Sequence, residues 1–107
     1  MNNILEIHKN EGNKFEIGLG DTIRVILEEL ATTGYRWQIV FVDNEILSVL
    51  GSEYLPYPGN TIGGGGSRVF MFKAKSFGTT TIKFTLRRAW EPELFYIDNH
   101  HLQIIVK

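Results

Sequence analysis

Apolar and polar side chains alternate with a period of two along most of this chain, and no other feature constrains its fold as much. Successive side chains of a strand point to opposite faces, so such alternation marks strands with one face buried. Leu5 and Ile7 alternate with Glu6 and His8, predicting a strand at 4–8, and Phe15, Ile17 and Leu19 continue the pattern after a turn at Glu11-Gly12-Asn13. Tyr35, Trp37, Ile39 and Phe41 share one face of a strand at 35–42, with Arg36 and Gln38 opposite. A short apolar run at 46–50 follows the Asp43-Asn44 turn. Phe70, Phe72 and Ala74 face one way within 67–75. After a turn at Ser76-Phe77-Gly78, Ile82, Phe84 and Leu86 face inward within 79–87, and Leu102, Ile104 and Val106 close the chain within 100–106. Thr22–Leu30 fits two patterns. Ile23, Ile26, Leu27 and Leu30 trace a helical stripe behind a possible Asp21 cap, whereas Ile23, Val25 and Leu27 alternate as in a strand. Its β-branched residues and its strand neighbours select the strand, at 22–30.

About seven strands with turns at this spacing predict an all-β fold, an immunoglobulin-like antiparallel β-sandwich. The 107 residues suffice for one core and form a single domain, 1–107. Successive antiparallel strands reverse direction, so alternate connections emerge at the same end. The connections around 31–34, 55–66 and 88–93 are therefore expected to share one rim.

The middle one is unusual. Five of the chain's 11 glycines fall between Gly59 and Gly66, behind Pro56 and Pro58. Glycine loses more freedom on folding than any other residue, so the cluster implies a backbone that must fit where a Cβ is obstructive.

Other functions are poorly supported. Eleven basic against 12 acidic residues leave a net charge of -1, which argues against nucleic acid or an anionic membrane as a partner. No apolar run approaches the ~20 residues of a membrane span. There is no cysteine, hence no disulfide and no thiol nucleophile. The adjacent His100 and His101 fall on opposite faces of a strand, and His8 stands alone, so no metal site is expected. The glycine tract lacks the Lys-Ser/Thr of a phosphate loop and precedes a strand, and no GxSxG elbow occurs. We expect no enzyme, no cofactor and a monomer when free. The N-terminal residues lack a charged segment followed by an apolar run, so a cytoplasmic location is expected, or a lysosomal or secreted one if a signal has been removed.

At the three rim connections the sequence resembles the chagasin family of cysteine-peptidase inhibitors, which carries Asn-Pro-Thr-Thr-Gly-Tyr/Phe, Gly-x-Gly-Gly and Arg-Pro-Trp/Phe. Here these read Leu30-Ala31-Thr32-Thr33-Gly34-Tyr35, Gly63-Gly64-Gly65-Gly66 and Arg88-Ala89-Trp90, in the same order and at matching spacing. Leu30-Ala31 stands in place of Asn-Pro and Ala89 in place of proline, which removes two φ locks. The resemblance implies reversible, non-covalent blockade of papain-like (cathepsin-type) peptidases. It puts Thr32, Thr33, Gly34 and Tyr35 at the catalytic centre, Gly63, Gly64, Gly65 and Gly66 along one flank, and Arg88 and Trp90 along the other. Small threonines offer hydroxyls for hydrogen bonds there, Trp90 a large anchoring face, and Arg88 either charge-assisted hydrogen bonds or a buttress. The alternative is an adhesion or carbohydrate-binding module on the same sandwich.

Overall fold

Each predicted strand forms in the computed structural model, which describes residues 2–59 and 64–107. The strands are β1 (Ile4–His8), β2 (Lys14–Ile17), β3 (Thr22–Glu29), β4 (Tyr35–Phe41), β5 (Leu47–Pro56), β6 (Gly66–Ala74), β7 (Gly78–Arg88) and β8 (Tyr96–Val106). They make two four-stranded sheets, in the orders β1-β3-β6-β5 and β2-β8-β7-β4. This is the immunoglobulin-like partition of strands between two faces.

The N-terminal alternation on either side of the turn at 11–13 forms two separate strands. They are β1 and β2, one in each sheet, and each pairs in parallel with its neighbour, β1 with β3 and β2 with β8. The remaining pairs are antiparallel. A turn carries the chain across, with the Glu11 N–H donating to the His8 carbonyl at 3.0 Å and the His8 N–H to Glu11 Oε1 at 2.6 Å. Sheets with an edge strand of the other sense are therefore mixed, and the count rises to eight.

Segment 22–30 is a strand, with Ile23, Val25 and Leu27 fully buried. Asp21 caps no helix. Its carboxylate accepts the backbone N–H groups of Asn3 and Gly18, at 2.9 and 2.8 Å, and fixes the turn into β3. Strand β5 runs to Pro56, beyond the predicted 46–50, because pairing with β6 continues although most of its side chains face solvent. An edge strand buries too little to show alternation. Phe41 is half exposed instead of inward, since the β4–β7 register shifts between Ile39 and Phe41. Such a bulge turns every later side chain to the other face.

The two inner faces interdigitate. Ile23, Val25, Phe70 and Phe72 of one sheet meet Trp37, Ile82, Phe84, Leu102 and Ile104 of the other. Phe84 sits centrally, its ring centroid 5.1 Å from Phe70 and 6.3 Å from Phe72. Burial of such side chains, each contributing roughly 1.5–3 kcal/mol, makes a rigid platform. The strand directions put the connections 30–34, 57–65 and 89–95 at one end, together with the β1–β2 turn.

Candidate functional site

The β3–β4 connection is a single 3-10 turn, Ala31–Thr33, closed by the Thr33 N–H donating to the Leu30 carbonyl at 3.2 Å. Thr33 stabilises the turn with its side chain as well. Its hydroxyl donates to the Leu30 carbonyl at 2.7 Å and accepts the Tyr35 N–H at 3.3 Å. That hydroxyl is committed internally, while Thr32 is exposed at the tip. Of the two threonines expected to present hydroxyls, Thr32 is the one turned outward.

Gly34 then adopts φ +80°, a left-handed conformation that side chains rarely take. Space forbids a side chain independently, because a Cβ there overlaps the edge of the Trp90 indole. Trp90 therefore rests on the Gly34 backbone. It is 71% exposed, so it stands above the core and is not sunk into it.

Arg88 ties these two loops together. Its Nε donates to the Thr33 carbonyl at 3.1 Å, and its guanidinium lies 4.3 Å from the Tyr35 ring centroid and 5.8 Å from that of Trp90. Its Nη1 is 3.5 Å from Glu91 Oε1, an ion-pair distance without hydrogen-bond geometry. Within the chain, Arg88 buttresses the threonine turn. Tyr35 is directly opposite Arg88 in the β4–β7 ladder and supports it from below.

The glycine loop meets the threonine loop at its base. Gly65 accepts the Tyr57 N–H at 3.0 Å, and a Cβ on Gly65 would come within 3.4 Å of the Glu29 carbonyl and 3.8 Å of Leu30 Cδ1. Gly66 is buried as the first residue of β6, and a Cβ would reach 2.5 Å from the Leu55 carbonyl and 2.7 Å from the Tyr54 ring. Part of the glycine requirement is thus internal. Gly64 is half-buried, and Gly63 lies outside the described residues, as do Asn60, Thr61 and Ile62.

A buried pair beneath the loops completes the site, and the motifs do not contain it. The Glu29 side chain is fully buried and takes two hydrogen bonds from Arg68, Nη2 to Oε1 at 2.7 Å and Nε to Oε2 at 3.2 Å. It also accepts the Trp37 N–H at 2.9 Å. The Trp37 indole donates to the Glu28 carbonyl at 2.8 Å, and Arg68 stacks 5.3 Å from the Tyr54 ring centroid. Glu29 directly precedes the threonine loop, and Arg68 is the third residue of β6, the strand that leaves the glycine loop. Bidentate pairing between them fixes the spacing of the two loop bases.

The result is a convex ridge. Thr32 is bracketed by Gly65 against Glu29 and Leu30 before the turn, and by Trp90 against Gly34 after it. A recess of about 820 Å³ lies beside the loop bases, lined by Lys9, Glu28, Trp37, Tyr57, Ser67 and Asp98 among others. Among the described residues no cluster of side chains suits a metal ion. A ridge that presents the Thr32 hydroxyl and the Trp90 indole is suited to filling another molecule's groove.

Comparison with known proteins agrees with this shape. Residues 16–104 match the family described as Chagasin family peptidase inhibitor I42. Amoebiasin-2 of Entamoeba histolytica is 32% identical over 84 residues, 78% of this chain and 68% of that protein. The crystal structure of the cysteine protease inhibitor EhICP2 from Entamoeba histolytica shares the fold with a TM-score of 0.88 at 23% identity, covering 99% of this chain and 97% of that one. PbICP-C, solved in complex with falcipain-2, shares it with a TM-score of 0.69 at 17% identity, covering 97% of this chain and 89% of that one.

Proposed function

Since the chain belongs to the chagasin family of peptidase inhibitors, we propose that it blocks the active-site cleft of papain-like cysteine peptidases reversibly, with the three loops acting as one wedge. Membership sets aside the adhesion or carbohydrate-binding alternative and a catalytic role. The falcipain-2 complex of PbICP-C supplies the partner class for a chain of this fold.

The contact of Trp90 with Gly34 carries the reading, because it makes two loops a single pre-organised unit. Binding loses affinity for every side chain and loop that must be ordered on contact. Here the order already exists. Arg88 holds the threonine turn, and Glu29 and Arg68 hold the two loop bases. Pre-organisation of this kind offsets the two absent prolines.

Each group then has a role. The Thr32 hydroxyl reaches toward the thiolate–imidazolium pair and hydrogen-bonds at its edge. Gly64 lies along one wall and offers backbone groups free of a side chain of their own, with Gly65 behind it fixed by the Tyr57 N–H on its carbonyl. The Trp90 indole covers the opposite wall, supplying the apolar area of an interface anchor. Residues 31–33 form a closed 3-10 turn, so no extended peptide crosses the catalytic centre, and attack on a carbonyl lacks its geometry. The wedge blocks without being cut. All of it lies on one chain, so a single copy suffices.

Titration of a papain-like peptidase with the purified protein tests this. The expected outcome is complete inhibition, recovery of activity on dilution, and an intact inhibitor chain by mass spectrometry. Full peptidase activity at micromolar excess would end the proposal.

A further inference from the structure

Trp90 is not alone on its connection. Leu94 is 85% exposed, Phe95 60% and Ile97 61%, all within the same turn and the start of β8. Single exposed apolar residues need no explanation, but a contiguous set this close to a binding ridge marks a contact surface.

The chain holds these side chains outward with definite structure. The Phe95 N–H donates to the Pro92 carbonyl at 2.9 Å and closes a turn. Arg87 Nη2 donates to the Glu91 carbonyl, and its Nη1 to Gln38 Oε1 at 3.2 Å. The β7–β8 register pairs Leu86 with Asp98 but Arg87 with Tyr96, which leaves Ile97 as the extra residue of a bulge. Bulges of this kind re-aim a side chain. An ion pair between Lys9 and Asp98 anchors the strand just beyond. The connection is pinned at both ends, and among the described residues nothing covers its apolar side chains.

We propose that Leu94, Phe95 and Ile97 are a fourth contact of the wedge, which docks on an apolar shelf of the peptidase just outside the wall that receives Trp90. This rests on the reading of the chain as a papain-like peptidase inhibitor. The occupant follows from continuity, since the three residues share the Trp90 connection and the same end of the sandwich. Their role is selectivity. Enzymes sharing one mechanism keep the cleft alike, while their surfaces outside it are free to differ, so the shelf separates one target from another.

The test compares the wild-type protein, a Leu94→Ser/Phe95→Ser/Ile97→Thr variant and a Phe77→Ser control at the opposite end, against several papain-like peptidases. The triple variant is expected to melt as the wild type does, to inhibit the best target at least about tenfold more weakly, and to lose unequal amounts across the set. The control is expected to inhibit as the wild type does. If the triple variant melts lower, Leu94→Ser alone is read instead, and a loss of about threefold or more supports the proposal. Inhibition constants within about twofold of wild type for every enzyme overturn it. So does a wild-type dimer in sedimentation that the triple variant turns into a monomer with unchanged inhibition, since the patch then belongs to a second copy. A wild type that inhibits nothing overturns the parent reading and this one together, whereas an inhibiting wild type matched by its variant overturns this one alone.

Discussion

Gly34 and Trp90 have to be considered together. Gly34 is required twice, by its φ of +80° and by the indole resting on it. Gly34→Ala meets both obstacles, and the strain is expected to lower stability by about 1–3 kcal/mol. It also lifts Trp90 off its seat. Trp90→Ala removes an exposed ring, so stability should stay within about 0.5 kcal/mol while inhibition weakens by about 2 kcal/mol. The two losses in inhibition should not add, because Gly34 acts through the indole. A double-mutant cycle on the inhibition constant, with urea denaturation alongside, checks this. Additive losses, or a Gly34→Ala protein that inhibits and unfolds like wild type, would show that the glycine does not position the tryptophan.

At the scale of strands and loops, the Glu29–Arg68 pair decides how two binding loops are spaced. Breaking a buried pair from one side leaves a charge without compensation, which costs about 3–5 kcal/mol. Arg68→Met strands a carboxylate that is fully buried, so it should fall at the upper end. Glu29→Gln strands a guanidinium whose side chain retains 18% exposure, so it should fall at the lower end. Combining the two should recover stability relative to Arg68→Met alone, measured as the urea midpoint. A double variant as unstable as the sum of the singles would mean the pair does not act as a unit. This pair also shows what the sequence makes legible. Continuing Ile23, Val25, Leu27 by one step of two lands on Glu29, and stepping back from Phe72 and Phe70 lands on Arg68. Two opposite charges on inward registers call for each other, although the loop motifs draw attention away from them. β3 and β7 are legible because half of each strand is buried. β5 is not, since past Leu47 its side chains lie mostly in solvent and only its backbone pairing defines it. The crossing of the N-terminal segment between sheets is hidden for a different reason. Alternation reports which face is buried and says nothing about which neighbour supplies the hydrogen bonds.

For the molecule as a whole, acidity acts through Asp21, in the turn that fixes the N-terminal strands, and through His100, buried inside the last strand. His100 lies inside β8, stacked on Phe84 at 6.4 Å, and its Nε2 has no hydrogen-bond partner among the described residues. Burial pushes its pKa below the usual imidazole value, the Lys9 charge and His101 add to this, and Asp98 opposes it. The folded chain therefore binds the His100 proton less tightly than the unfolded chain does. Its contribution to stability is fully present above the unfolded value of about 6.5 and is lost as pH falls from there through the depressed folded value. Asp21 works in a lower window. Hydrogen bonds from Asn3 and then Gly18 hold its carboxyl below the ordinary range, so its contribution is lost only as pH falls below about 4. The urea midpoint should thus decline in two stages on acidification. His100→Phe, which keeps a ring against Phe84 and cannot titrate, should flatten the first stage and leave the second. Asp21→Asn should do the reverse. The wedge is carried on the same sandwich, so inhibition in weakly acidic buffer should track the first stage only where the fold itself begins to fail, and His100→Phe should retain inhibition to lower pH. A wild-type midpoint constant between pH 7.5 and 5 would show that His100 is protonated as readily in the folded chain as in the unfolded one.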